Sequence, residues 1–132
     1  MNQSPEAPIP EDIRRFIVKH IDSVEALEIL LLLFGNAGEE LSPEEASRRL
    51  YTSVESAARR LDQLQRVKLL VSISTEPPKY RFNSASPDAT LMGELEKVYK
   101  ERRVSIISFI YSKPTDPLRA FSDAFRLRKE ES

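Results

Sequence analysis

This chain of 132 residues contains no cysteine, no tryptophan, only three glycines and a single histidine. The lack of cysteine excludes a disulfide scaffold and any thiolate metal site. Three scattered glycines cannot build a phosphate-binding loop, and the lone His20 has apolar neighbours in sequence. We therefore expect no catalytic residue, no metal site, no cofactor and no enzyme activity.

Long apolar segments are missing as well. The longest apolar run covers residues 29–34 and is far shorter than the roughly 20 residues that cross a bilayer. Residues 1–10 are polar and rich in proline, unlike a signal peptide. These features predict a cytoplasmic protein without a membrane span.

Charge is distributed unevenly along the chain, although the net charge is only −1. Residues 42–82 hold eight basic and five acidic side chains, whereas residues 1–41 hold three basic and eight acidic ones. An excess of cations in one segment is what a phosphate-facing surface requires. The central segment is therefore the first place to look for a binding surface.

Residues 1–10 are expected to form a flexible arm, residues 11–83 one small domain, and residues 84–132 a helical arm. The central segment begins with Ser42-Pro43-Glu44-Glu45, which has capping-box spacing with proline at the first helical position. Ser53 is placed to cap a second helix. Two alternating segments, 69–74 and 80–82, then flank a turn at Pro77-Pro78.

Helix, turn, second helix and hairpin follow one another in an order that resembles the winged helix-turn-helix superfamily of DNA-binding regulators over about 60 residues, from 24 to 82. The resemblance implies a mainly α fold with a small β-hairpin wing, an N-terminal helix and a long C-terminal helical extension. It also implies sequence-specific binding of double-stranded DNA by a transcriptional regulator that acts as a homodimer. The alternative is a winged-helix adaptor that docks other proteins and does not bind DNA.

The resemblance makes residues 53–66 the recognition helix, with help from the preceding helix and the wing. The DNA-binding residues that it implies are Arg48, Arg49, Ser53, Ser56, Arg59, Arg60, Gln63, Arg66, Lys79 and Arg81. At 100° per residue, Ser56, Arg59, Arg60, Gln63 and Arg66 lie opposite the apolar stripe of this helix.

Two features depart from the pattern of the superfamily. Lys68 stands where such regulators often have glycine, and Glu55 and Asp62 add negative charge to the recognition helix. The competing interpretation is a solvated face with the ion pairs Glu55–Arg59 and Asp62–Arg66, both at i,i+4 spacing.

The C-terminal part predicts a long helix from residue 88 to about residue 111, although its β-branched end, 104–111, also suits a strand. Its apolar residues predict a dimer interface formed by Leu95, Val98, Ile106, Ile107 and Ile110. The alternative is that this helix folds back on Phe16, Ile17 and Leu30. The tail, 117–129, is amphipathic and suits the partner subunit, another protein or an anionic membrane surface.

Overall fold

A computed structural model describes residues 9–112, so the first eight residues and the tail predicted from residues 117–129 lie outside the described part. Six helices and one antiparallel hairpin make up residues 9–112. They are α1 (Glu11–His20), α2 (Val24–Gly35), α3 (Pro43–Leu50), α4 (Val54–Arg66), β1 (Leu70–Thr75), β2 (Pro78–Phe82), α5 (Ala89–Glu101) and α6 (Arg103–Ser112). The predicted order of elements and the mainly α class are confirmed.

Serine side chains cap three of these helices, and two of the three, Ser42 and Ser53, are the predicted caps. Ser23 accepts a hydrogen bond from the backbone N–H of Ala26 at 3.0 Å. At α3, the Ser42 hydroxyl accepts from the N–H of Glu45, and the Glu45 carboxylate accepts from the N–H of Ser42 at 2.9 Å. Ser53 accepts from the N–H of Ser56 at 3.0 Å. Each cap satisfies backbone donors that have no partner within the helix.

Helix α2 lies at the centre of the core because its sequence, VEALEILLLLFG, is apolar on nearly every side. It contacts α3, α4, β2 and α5, and Leu27, Ile29 and Leu30 are fully buried. Its two glutamates, Glu25 and Glu28, interrupt this apolar surface. Both accept hydrogen bonds from other elements, as described below.

The hairpin is extended to a third segment by Leu41, which exchanges two backbone hydrogen bonds with Tyr80, at 2.8 and 2.9 Å. Strands β1 and β2 pair from Leu70 opposite Phe82 to Thr75 opposite Pro78, with a bulge between Ser72 and Ser74. The turn is therefore Glu76-Pro77, one residue earlier than the predicted Pro77-Pro78. Phe82 and Leu70 are buried against the helices, which fixes the wing to the domain.

The predicted continuous C-terminal helix is wrong, because the chain breaks it at Arg102, which has φ −134° and ψ 48°. After this break, α6 returns toward α1, and Phe109 lies under the guanidinium of Arg14 at 5.4 Å. Neither glycine nor proline marks the break in the sequence. Its effect is that Ile106 and Ile110 are buried within the same chain.

The predicted dimer interface needs correction for the same reason. Leu95, Val98, Ile106 and Ile110 are buried in the core of the chain itself, and Ile107 is half-buried against it. They complete the monomer, as in the alternative that the helix folds back. The four buried side chains are therefore unavailable to a second copy in this arrangement.

Candidate nucleic-acid interface

Helices α3 and α4 approach closely because small residues face one another at their contact. Ala46 and Ala57 are fully buried, so no large side chain separates the two backbones. Between the helices, Tyr51 takes a left-handed conformation with φ 56°, and its side chain is 96% exposed. The turn between the two helices therefore presents Tyr51 to solvent.

The most exposed edge of α4 carries alternating charge. Glu55, Arg59 and Arg66 are exposed and Asp62 is half-exposed, because successive positions at 100° place these four residues together. Arg66 pairs with Asp62 at 2.8 Å, whereas Arg59 forms no ion pair within residues 9–112. Arg59 is therefore the free cation of this edge in the described part of the chain.

Ser56 and Arg60 do not lie on the outer side of α4, where the helical wheel placed them. Both turn toward the beginning of α2. There the Ser56 hydroxyl donates to the carboxylate of Glu25, and Nε of Arg60 donates to the same carboxylate at 3.0 Å. Gln63 stands beside them and accepts from Nη1 of Arg60 at 3.3 Å. The helical wheel was wrong for these residues because α2 packs against one flank of α4. A wheel drawn for α4 alone cannot show which of its side chains another helix covers.

The contacts of Glu25 favour the ionised form of its carboxylate. Burial would raise its pKa, but hydrogen bonds from Ser56, Thr52 and Arg60, together with the positive charge of Arg60, outweigh burial and lower the pKa below its usual value. Thr52, in the turn between α3 and α4, donates its hydroxyl to the other carboxylate oxygen. Sequence reasoning missed both Glu25 and Thr52. The available signal was a glutamate in an otherwise apolar helix.

One cation of α3 and one of the wing influence the same carboxylate, that of Glu45 in the first turn of α3. Backbone hydrogen bonding to Ser42 is the main cause of the lowered pKa of Glu45, and the positive charges of Lys79 and Arg48 contribute as well. Neither of these cations forms an ion pair with Glu45 within residues 9–112, and one belongs to α3 and the other to β2. Arg49 instead pairs with Glu39 at 3.4 Å.

Lys68 occupies the position where winged-helix regulators often have glycine, and it adopts the conformation that favours glycine, with φ 68°. It ends α4 in a Schellman arrangement: its N–H donates to the carbonyl of Gln65, and the N–H of Leu69 donates to Leu64. The amide of Asn83 donates to the Lys68 carbonyl at 2.8 Å. The exposed lysine side chain thus stands between α4 and the wing.

A second polar cluster lies on the other side of α2. Glu28 accepts from the Tyr99 hydroxyl at 2.8 Å and from Arg103 at 3.0 Å, and Arg103 lies over the Tyr99 ring. Burial, followed by the hydrogen bond to Glu28, raises the pKa of Tyr99 to about 12. An open groove of about 470 Å³ runs beside this cluster, floored by Leu31 and Leu32.

Residues 9–112 contain no group of three or more histidine, cysteine or acidic side chains arranged to hold a metal ion. No helix in that part of the chain is long and apolar enough to cross a membrane.

No protein-family model and no curated protein sequence matches the chain. Among solved structures, reduced HlyU from Vibrio cholerae is similar with 22% sequence identity and a TM-score of 0.50, covering 69% of this chain and 90% of HlyU. The multiple antibiotic-resistance repressor MarR from Listeria monocytogenes shares 15% identity at a TM-score of 0.47, covering 90% of this chain and 83% of that one. The similarity to HlyU establishes a winged-helix fold.

Proposed function

We propose that this winged-helix chain binds double-stranded DNA sequence-specifically as a transcriptional regulator, with α4 in the major groove. The observation that carries the proposal is that most cations of the central segment form no ion pair in the described part of the chain. Of the eight basic residues in 42–82, five form no ion pair within residues 9–112; they are Arg48, Arg59, Lys68, Lys79 and Arg81.

These five cations are spread over α3, α4, the end of α4 and the wing, as backbone contacts of a winged helix would require. Three of them, Arg48, Arg59 and Lys68, are exposed, and two, Lys79 and Arg81, are half-exposed. Cations that lack carboxylate partners are free to replace the counterions of phosphate groups. The other three basic residues of the segment each pair with an acidic side chain. A DNA-binding protein of this kind would act in the cytoplasm.

The salt dependence of binding to random duplex DNA tests this proposal. Replacing Arg48, Arg59 or Lys79 with alanine should reduce the slope of log affinity against log salt by about 0.9 for each phosphate that the variant no longer neutralises. Arg15→Ala on α1 is the matched control, since Arg15 is exposed but lies outside the central segment. Absence of binding at low salt, or equal slopes for all four variants, would refute the proposal.

We also propose that the regulator is a homodimer. With four predicted interface residues in the core, a different stripe of α6 remains: Val104 is 72% and Tyr111 81% exposed, and Ile107 lies between them at i+3. An exposed apolar stripe at helical spacing fits the same stripe of a second copy across a two-fold axis.

Sedimentation equilibrium tests the dimer independently of DNA. Ile107→Asp and Val104→Asp should shift the protein to monomer, whereas Val67→Asp, at another partly exposed apolar residue, should not. A monomeric wild-type protein, or a dimer that both α6 variants preserve, would contradict this interface and leave the DNA proposal unaffected.

An adaptor that docks proteins is the second candidate, and the exposed edge of α4 favours it. That edge carries two acidic and two basic residues, and Asp62 already neutralises Arg66. A balanced surface suits a protein partner better than a polyanion. If the wild-type protein fails to bind DNA at low salt, the adaptor becomes the better explanation, and the C-terminal arm becomes the surface to test for a protein partner.

A further inference from the structure

Glu25 joins three parts of the helix-turn-helix through one carboxylate. It lies in the first turn of α2 and accepts from Thr52 in the turn and from Ser56 and Arg60 on α4. The three donors are four residues apart, so they line one flank of α4 and its approach. Both carboxylate oxygens are used.

The guanidinium of Arg60 is fixed by hydrogen bonds from Nε and Nη1, and its Nη2 is left without a partner in the described part of the chain. Its Nε donates to Glu25 at 3.0 Å, and its Nη1 donates to Gln63 and lies 3.9 Å from Asp22. Its Nη2 makes no hydrogen bond within residues 9–112. Only 23% of the side chain is exposed, so its rotamers are restricted by these contacts and by the surrounding helices.

Apolar contacts, besides this polar cluster, hold α4 in the core. Leu61, Leu64 and Ala57 already bury the apolar side of α4 in the core. A partly buried ion pair is commonly replaceable by apolar residues without loss of stability, because desolvation offsets the attraction between the charges. The cluster is therefore better explained by what it orients than by what it stabilises.

We propose that Glu25 is a positioning residue for base recognition: it fixes the turn and aims the free edge of Arg60, beside Gln63, at a guanine. This inference rests on the DNA-binding function proposed above. Arginine recognises guanine by donating to O6 and N7, and this bidentate geometry needs a guanidinium of fixed orientation. A carboxylate that accepts from Nε supplies that orientation, and Nη2 together with the second N–H of Nη1 remains available to the base.

An effect of Glu25 through its charge and an effect through positioning Arg60 predict opposite changes of DNA affinity in Glu25→Gln. If Glu25 acted only through its charge, removing an anion near DNA would tighten binding to every duplex. If it positions Arg60, the variant should lose affinity for the preferred sequence and keep its affinity for unrelated duplexes. The ratio of the two affinities separates these explanations, and a general loss of stability would not change it selectively.

The experiment compares the wild type, Glu25→Gln, Arg60→Ala and the double variant on a duplex obtained by in vitro selection and on a scrambled duplex of equal length. Glu25→Gln should reduce the specificity ratio about tenfold or more, with the salt slope on the scrambled duplex unchanged. The double variant should be no worse than Arg60→Ala alone, because both changes remove the same contact. Glu94→Gln, which removes an exposed carboxylate of α5 outside the helix-turn-helix, is the control and should keep the ratio.

Ser56→Ala provides a second test if Glu25→Gln folds poorly, since it removes one donor to Glu25 and leaves the ion pair in place. It should reduce the ratio by a smaller factor. A wild type that discriminates between duplexes while Glu25→Gln or Ser56→Ala discriminates equally well would overturn the positioning role alone. A wild type that does not discriminate at all would overturn the proposed sequence-specific function and this inference with it.

Discussion

Replacing Ile106 with alanine decides whether α6 belongs to the core of the chain or to a contact between chains. The side chain of Ile106 is fully buried, and α6 bends back at Arg102 to bury it. Truncating a buried isoleucine to alanine removes apolar contacts and leaves a cavity, which costs about 2–5 kcal/mol. That is a large part of the roughly 5–15 kcal/mol by which small domains are stable.

The assay is urea unfolding followed by circular dichroism at several protein concentrations. Ile106→Ala should lower the urea midpoint by the same amount at every protein concentration. The dependence of the free energy of unfolding on urea concentration should stay unchanged. Val67→Ala, at a residue that is 41% exposed and lies outside the stripe of α6 proposed for the dimer, should cost much less. If Ile106→Ala instead left unfolding unaltered and only weakened self-association, the placement of α6 in the core would be refuted.

Three further predictions follow from single residues. Lys68→Gly should raise the free energy of unfolding by roughly 0.5–1 kcal/mol, because relief of the left-handed conformation exceeds the added entropy of the unfolded chain; thermal unfolding, with Val67→Gly as a destabilised control, checks it. Burial lowers the pKa of His20 despite nearby Asp88, so the unfolded chain binds a proton more readily and stability should fall as pH drops below 6.5. Above about pH 5, where carboxylates stay ionised in both states, that fall should be absent in His20→Gln, and its persistence there would exclude His20 as the cause. Tyr99→Phe should remove the tyrosine that ionises last in an absorbance titration, because burial and Glu28 raise the pKa of Tyr99 to about 12; an unchanged last phase would contradict the assignment.

Local features of this fold were predictable because their causes lie within a few residues. The capping box of Ser42 and Glu45 needs only a hydroxyl and a carboxylate three positions apart, and both hydrogen bonds are present. The cap at Ser53 likewise needs only a hydroxyl three positions before the backbone donor, and the hydrogen bond from the N–H of Ser56 is present. Spacing of this kind is visible in a single sequence.

Features that depend on distant partners were not predictable in the same way. An apolar helix must be covered, but composition does not say whether its own chain or a second copy covers it. Ile106 and Ile110 therefore suited both a dimer interface and a core, and the break at Arg102 decided in favour of the core. That break carries no glycine or proline, so the local sequence offered no signal for it.

Arg59 and Arg60 show how far residue type alone can determine a site. They are identical and adjacent, and the sequence assigned them one role. The 100° step between them turns Arg59 toward solvent and Arg60 toward the carboxylate of Glu25, which is 35 positions earlier in the chain. A solvated arginine suits a phosphate, whose recognition tolerates movement, and a held arginine suits a base edge, whose recognition does not. The proposed division of labour therefore follows from the neighbour that packing supplies to each arginine.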